Sequence, residues 1–265
     1  MTEPTPEAQY TFRRRGGESL NALVHTVGSL VKGGMIGLTK RDWDPMDNIP
    51  LSGPVIVVWN HYSDFDPLVV AHYVYNSGRH PRFLLKNSLV EIPVVGPILK
   101  GVGQIPVFRG RADAAESLRV AIEKLKDGGC VLIAPEGSVT KEPNRWPMRG
   151  KTGVARLAME TGAPVVPVVQ WGALGIHDRR RKPKFKLGRH PVTVKALAPV
   201  DLSQWEGAEI NRANLTAVTD QIMEAVRVGV ADLRGETAPP LFDLKADKQP
   251  GRTEQNRRDE SEPTE

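Results

Sequence analysis

Residues 55–67 read VIVVWNHYSDFDP, and this stretch decides the fold. Val55, Ile56, Val57, Val58 and Trp59 form an apolar run behind Gly53-Pro54, the pattern of a strand covered on both faces in an α/β sheet. Residues 60–65 leave that strand as a loop. Pro67, followed by Leu68, Val69, Val70, Ala71 and Tyr73, then opens a helix with Asp66 in the N-cap slot. Loops at the carboxyl ends of such strands are where open α/β sheets bind ligands. An imidazole at His61 can approach a substrate hydroxyl there while Asp66, five positions on, holds its other nitrogen. On spacing alone, capping is the commoner role for such an aspartate.

Working outward, residues 82–86 and 105–108 read as short strands, with 93–101 a helix or loop between them. Residues 112–127 form a helix with Ala115, Leu118, Ala121, Ile122 and Leu125 on one face, ended by Gly128-Gly129 before a strand at 130–134. A helix at 151–161, a strand at 165–170, a hairpin of 184–187 with 192–197 through Gly188, and a long helix at 211–233 follow. Alternating strands and helices predict a single α/β domain: a largely parallel mixed sheet flanked by helices, with an N-terminal amphipathic helical segment. The expected division is a flexible basic N-terminus at 1–19, the amphipathic segment at 20–45, the main domain at 46–242 and a disordered charged tail at 243–265.

Within 20–38, Leu20, Leu23, Val24, Val27, Leu30, Val31, Met35 and Leu38 fall on a helical stripe. Asn21, His25, Lys32 and four glycines make the segment too polar to span a bilayer, and no small-residue cleavage site marks a signal peptide. The stripe either packs on the core or rests on a membrane beside Arg13-Arg14-Arg15. Lys and Arg total 36 against 31 acidic residues, a surplus that suits an anionic bilayer, a phosphorylated acceptor or coenzyme A, and equally nucleic acid. Cys130 is the single cysteine, so no internal disulfide forms, and its apolar neighbours make it a core thiol rather than a nucleophile.

Other motifs fail. Gly150-Lys151-Thr152 lacks the first glycine of a P-loop, since Arg145 stands there, and the glycines at 101 and 103 are followed by Pro106 where a dinucleotide fingerprint needs a third. No GxSxG or HExxH occurs, and the remaining histidines are scattered, which argues against a metal site.

NHYSDFD resembles the NHxSxxD block of the glycerolipid acyltransferases, the family of 1-acylglycerol-3-phosphate acyltransferases, with His61 and Asp66 at its two signature positions. Lys86 in FLLKNSL resembles the basic residue of the family's KxxL segment, and GQIPVFRG at 103–110 resembles its second block, with Arg109 at the arginine position. Ala134-Pro135-Glu136-Gly137-Ser138 resembles the third block, usually FPEGT, and Ala163-Pro164-Val165-Val166-Pro167-Val168 the apolar fourth. The resemblance spans residues 50–200. One position departs: the third block commonly continues with arginine, and Val139 here cannot make a bidentate phosphate contact. Arg109, Lys86, Arg149 and Lys151 are the alternative cations, unless the acceptor lacks a simple glycerol phosphate headgroup.

The resemblance implies acyl transfer from acyl-CoA or acyl carrier protein to the hydroxyl of a lysophospholipid, without a cofactor and without nucleic acid. His61 is then the general base and Asp66 the group that fixes its tautomer, with backbone N–H groups near Glu136-Gly137 as oxyanion donors. Arg109 and Lys86 would hold the acceptor's phosphate, Glu136 an acceptor hydroxyl or the order of the site, and Gly137 and Ser138 would complete the substrate contacts. The expected location is the cytoplasmic face of the cell membrane, as a peripheral protein. Two alternatives stay open: a catalytically silent lipid- or acyl-carrier-binding protein, and a thioester hydrolase using the same base on water.

Overall fold

The computed structural model describes residue 14 and residues 16–107 and 111–247. The apolar run is strand β2, Val55–Val58, and each of its four side chains is fully buried. Val55 and Val57 face one core layer while Ile56 and Val58 face the other, the alternation a pleated strand imposes. Because both faces are covered, the sequence shows an unbroken apolar run instead of alternation.

Helix α1 (Ala22–Leu38) and strand β1 (Thr39–Trp43) precede β2. Then come α2 (Asp66–Asn76), β3 (Arg82–Lys86), α3 (Val95–Gly101), β4 (Ile105–Val107), α4 (Arg111–Lys126) and β5 (Cys130–Ile133). The remainder is α5 (Gly153–Thr161), β6 (Val165–Trp171), β7 (His190–Ala196) and α6 (Arg212–Arg234). The seven strands form one sheet in the order β1-β7-β6-β2-β5-β3-β4. All pairings are parallel except β6 with β7. Met35 of α1 and Val69, Val70 and Tyr73 of α2 fill the first layer. Leu125 of α4, Leu157 of α5 and Val218 and Ile222 of α6 fill the second. Since β2, β5 and β6 run parallel side by side, the loops leaving their carboxyl ends meet at one edge of the sheet.

Four expectations need correction. Residues 184–187 form no hairpin strand; a lone bridge between His177 and Phe185 is all that pairs there. Residues 179–189 lie exposed, so they offer no second buried row to a sheet, and β7 pairs with β6 and β1 instead. The 20–45 segment is not helical throughout, because Thr39 and Trp43 bury as strand β1 beside β7. The 1–19 stretch is not free along its length: Arg14 donates to the Met46 carbonyl (2.8 Å), and Glu18 pairs with Arg79 and Arg82. Residues 244–247 form one short helical turn, while residues 1–13, 15 and 248–265 of the two terminal segments lie outside the described residues.

The amphipathic stripe of α1 divides. Val24 and Met35 are buried, whereas Leu30 is 71% exposed. Among the described residues, no helix is long and apolar enough to cross a membrane.

Candidate active site

Asp66 is not the cap that spacing suggested. Helix α2 starts at Asp66 itself, with Pro67 in its first turn, and the carboxylate turns back into the loop. Its Oδ2 accepts from the Tyr62 N–H (2.6 Å) and the Ser63 N–H (2.8 Å) and meets His61 Nδ1 at 3.1 Å. Oδ2 thus fixes Nδ1 as the protonated nitrogen and leaves the lone pair on Nε2. The carboxylate is completely buried while the imidazole keeps 17% of its surface exposed, so the ring opens outward from a closed support. Burial pushes the Asp66 carboxyl above its ordinary range; His61, the Ser63 N–H and Gln170 pull it back.

The loop is held on several sides. Asn60 exchanges two 2.9 Å hydrogen bonds with the backbone of Gln170 on β6. The Tyr62 hydroxyl donates to Gln170 Oε1 (3.1 Å) and accepts from the Ala173 N–H (3.0 Å), while its ring stacks on Trp171. Ser63 Oγ donates to the His177 carbonyl (2.9 Å), and the Thr140 N–H donates to the His61 carbonyl (2.7 Å). An imidazole held this way keeps its orientation without reorganisation of the loop.

Glu136 turns inward and holds the backbone of the His61 loop. It is 4% exposed, and its two oxygens accept from the His61 N–H (2.9 Å) and the Met148 N–H (3.0 Å). Burial pushes its carboxyl up to about 8 against the pull of those two donors, and the charge of Asp66 adds to the rise. The Gly137 N–H already donates to the Ala134 carbonyl (3.0 Å), which removes it from the proposed oxyanion donors. Gly137 has φ +68°, and a Cβ there would meet Lys151 Nζ at 2.6 Å, so the Lys151 side chain lies across the third block. Ser138 is exposed beside it.

The structure brings His61, Asp66, Glu136, Gly137, Ser138 and Lys151 to one place. Lys86 ends β3 at the same edge, with β5 between it and the His61 strand. Arg149 stands apart, paired with Asp220 (2.6 Å) and Asp243 (3.4 Å), so these carboxylates take the contact expected for a phosphate. Arg109 lies outside the described residues. Cys130 is buried in β5, and burial pushes its thiol up to about 12, which suits an inert core residue.

Sequence reasoning passed over Arg145, noticed only as the wrong residue for a P-loop. Its guanidinium donates to the Tyr62 carbonyl (3.1 Å) and to Asp178 (2.8 Å), from a backbone with φ +68°. A buried-tending arginine in the left-handed region leaves no local pattern to read, since both partners are distant in sequence. Gln170 and Tyr62 were equally hidden, because their meeting depends on β6 lying beside β2.

The acyltransferase family matches residues 42–171. Over 135 residues, half of this chain, it is 30% identical to a chloroplastic 1-acyl-sn-glycerol-3-phosphate acyltransferase of Brassica napus, covering 38% of that protein. It is 32% identical over 123 residues, 46% of the chain, to a 1-acyl-sn-glycerol-3-phosphate acyltransferase of Borreliella burgdorferi, covering 47% of it. The matches thus span less than half the length of these two relatives. The crystal structure of the 1-acyl-sn-glycerophosphate acyltransferase PlsC from Thermotoga maritima superimposes with a TM-score of 0.64 at 26% identity, over 82% of this chain and 81% of that one.

Proposed function

The chain belongs to the acyltransferase family, and we propose that it moves a fatty acyl group from a thioester, acyl-CoA or acyl carrier protein, to the free hydroxyl of 1-acylglycerol-3-phosphate. The observation that carries this reading is the His61–Asp66 pair at 3.1 Å, with the carboxylate buried and the imidazole open to solvent. An alcohol attacks a thioester poorly unless a base takes its proton as the bond forms, an effect of about 10²- to 10⁴-fold. In the proposed reaction His61 Nε2 takes that proton while the hydroxyl oxygen bonds to the thioester carbon. The tetrahedral intermediate then collapses, the C–S bond breaks, and the imidazolium returns the proton to the leaving thiolate. Asp66 stabilises the imidazolium meanwhile, as in a serine triad, and the acceptor's own hydroxyl stands where the serine would.

Lys151 over Gly137, with Lys86 and Arg109, is the proposed cation set for the acceptor's phosphate in place of an arginine at Val139. Peripheral attachment to a membrane is the accompanying proposal, supported by the exposed apolar side of α1. Incubating the purified chain with acyl-CoA or acyl carrier protein and a panel of lysolipids, with products read by mass, tests the reading. A new diacyl lipid together with free thiol is expected. Free fatty acid alone would identify a hydrolase, and thiol release absent with every acceptor would leave a silent binding protein.

A further inference from the structure

The connection from β6 to β7 emerges at the same edge of the sheet as the His61 loop, because β6 lies parallel to β2. Residues 179–189 read RRRKPKFKLGR, with seven cations and no carboxylate, and every one of them is exposed. The root of this loop is fixed to the catalytic loop. Arg179 pairs with Asp64, Arg145 ties Asp178 to the Tyr62 carbonyl, and the Phe185 ring lies 6.3 Å from that of Phe65. Its crest is different: among the described residues Lys182, Lys184 and Lys186 have no carboxylate partner, and Leu187 is 85% exposed.

A second apolar crest stands on the other side of His61. Sheet order puts β6 directly beside β2 and β3 beyond β5, and the segment after β3 exposes Leu89, Ile92, Val94 and Val95. Val94 is 74% exposed with φ +68°, a backbone conformation that a β-branched residue rarely adopts. A tight turn closed by the Val95 N–H on the Pro93 carbonyl (2.8 Å) holds it there, with its side chain outward. From these observations we infer that this edge of the sheet is the face laid on an anionic bilayer, with residues 179–189 as its electrostatic anchor.

Charge and apolarity together select this partner. Lysines alternating with Phe185 and Leu187 place cations among lipid phosphates and apolar side chains among acyl chains at once. An acidic carrier protein would match the lysines but leave Leu187 and Val94 in water. The orientation also deepens the proposed function, since His61 between the two crests meets an acceptor that never leaves the membrane.

The test is sedimentation of the full chain with vesicles of phosphatidylcholine alone or mixed with phosphatidylglycerol. The wild-type chain should bind the anionic vesicles and be released by salt. The variant Lys182→Gln/Lys184→Gln/Lys186→Gln should lose affinity on the order of a hundredfold, several-fold per lysine. The variant Leu187→Ser should bind less tightly at any salt, and both should keep the wild-type melting curve. Equal binding to neutral vesicles, or unchanged binding by both variants, overturns the inference. So does a lysine variant that still binds vesicles but no longer captures acyl carrier protein, or loss confined to Leu30→Ser of α1. Binding is read without turnover, so an inactive chain that still shows this pattern rejects the proposed reaction and leaves the docking face standing.

Discussion

The two ends of strand β2 carry buried charge in opposite ways. At the amino end, Arg79 is fully buried, yet it donates to the carbonyls of Pro50 (2.8 Å), Gly53 (2.6 Å) and Gly128 (2.8 Å) and faces Glu18 at 3.4 Å. Burial alone would push the Glu18 carboxyl up, but Arg82, the His80 N–H and Arg79 together hold it below the usual carboxylate range. At the carboxyl end, burial wins: Asp66 and Glu136 are both held above their ordinary range, and the imidazole they support points a nitrogen at solvent. One end is saturated and locks three chain segments together. The other is held uphill and left open, which is the condition of a group kept for reaction.

The sharpest test of that contrast is His61→Ala. Thioester-dependent turnover should fall on the order of 10²- to 10⁴-fold, with the melting curve little changed because Asp66 keeps the Tyr62 and Ser63 N–H donors when the imidazole is lost. Retained turnover would end the case for the carboxyl end as the reactive one. Arg79→Met should do the reverse, costing about 3–5 kcal/mol by urea unfolding, since three buried carbonyls lose their donor and Glu18 is left with Arg82 and the His80 N–H alone. Turnover per folded molecule should hold; a selective fall in turnover would mean that the two ends are coupled.

Glu136→Gln reads the electrostatic side of the contrast. With its carboxyl raised from 4.5 to about 8, the folded chain keeps a proton that the unfolded chain has released between those values. Its contribution to stability is therefore full below the unfolded value and is lost as pH rises through the folded one, a change of a few kcal/mol. The wild type should weaken from about pH 5 to about pH 8 in urea unfolding, and the glutamine variant should show a flatter profile. Identical profiles would place the proton elsewhere. The smallest effect is expected of Gly137→Ala, about 1–2 kcal/mol for a side chain at φ +68°. The added Cβ also displaces Lys151 Nζ, so KM for a phosphorylated acceptor should rise while kcat changes less. An unchanged KM would remove Lys151 from the phosphate set.

Much of the amino-acid pattern is local and was legible. The β2 run, the helix of Ala121 and Leu125 and the helices expected at 151–161 and 211–233 each depend on neighbours within a few residues. Asp66 misled for the same reason: an aspartate before proline looks like a cap, and only the path of residues 62 and 63 around its carboxylate shows otherwise. The expected strand at 184–187 failed because alternation of Lys with Phe and Leu also describes an exposed loop.

The order of short-range signals, apolar run, loop histidine, aspartate and helix, was enough to determine a parallel α/β sheet with His61 at a carboxyl edge. Hydrophobic period and backbone stiffness act along the chain, so the chain alone records them. Which groups stand beside His61 was decided in three dimensions. Glu136 under its backbone, Gln170 against Tyr62 and Arg145 on the loop carbonyl meet only because β5 and β6 flank β2, and hydrogen bonds between residues tens of positions apart leave no periodic trace.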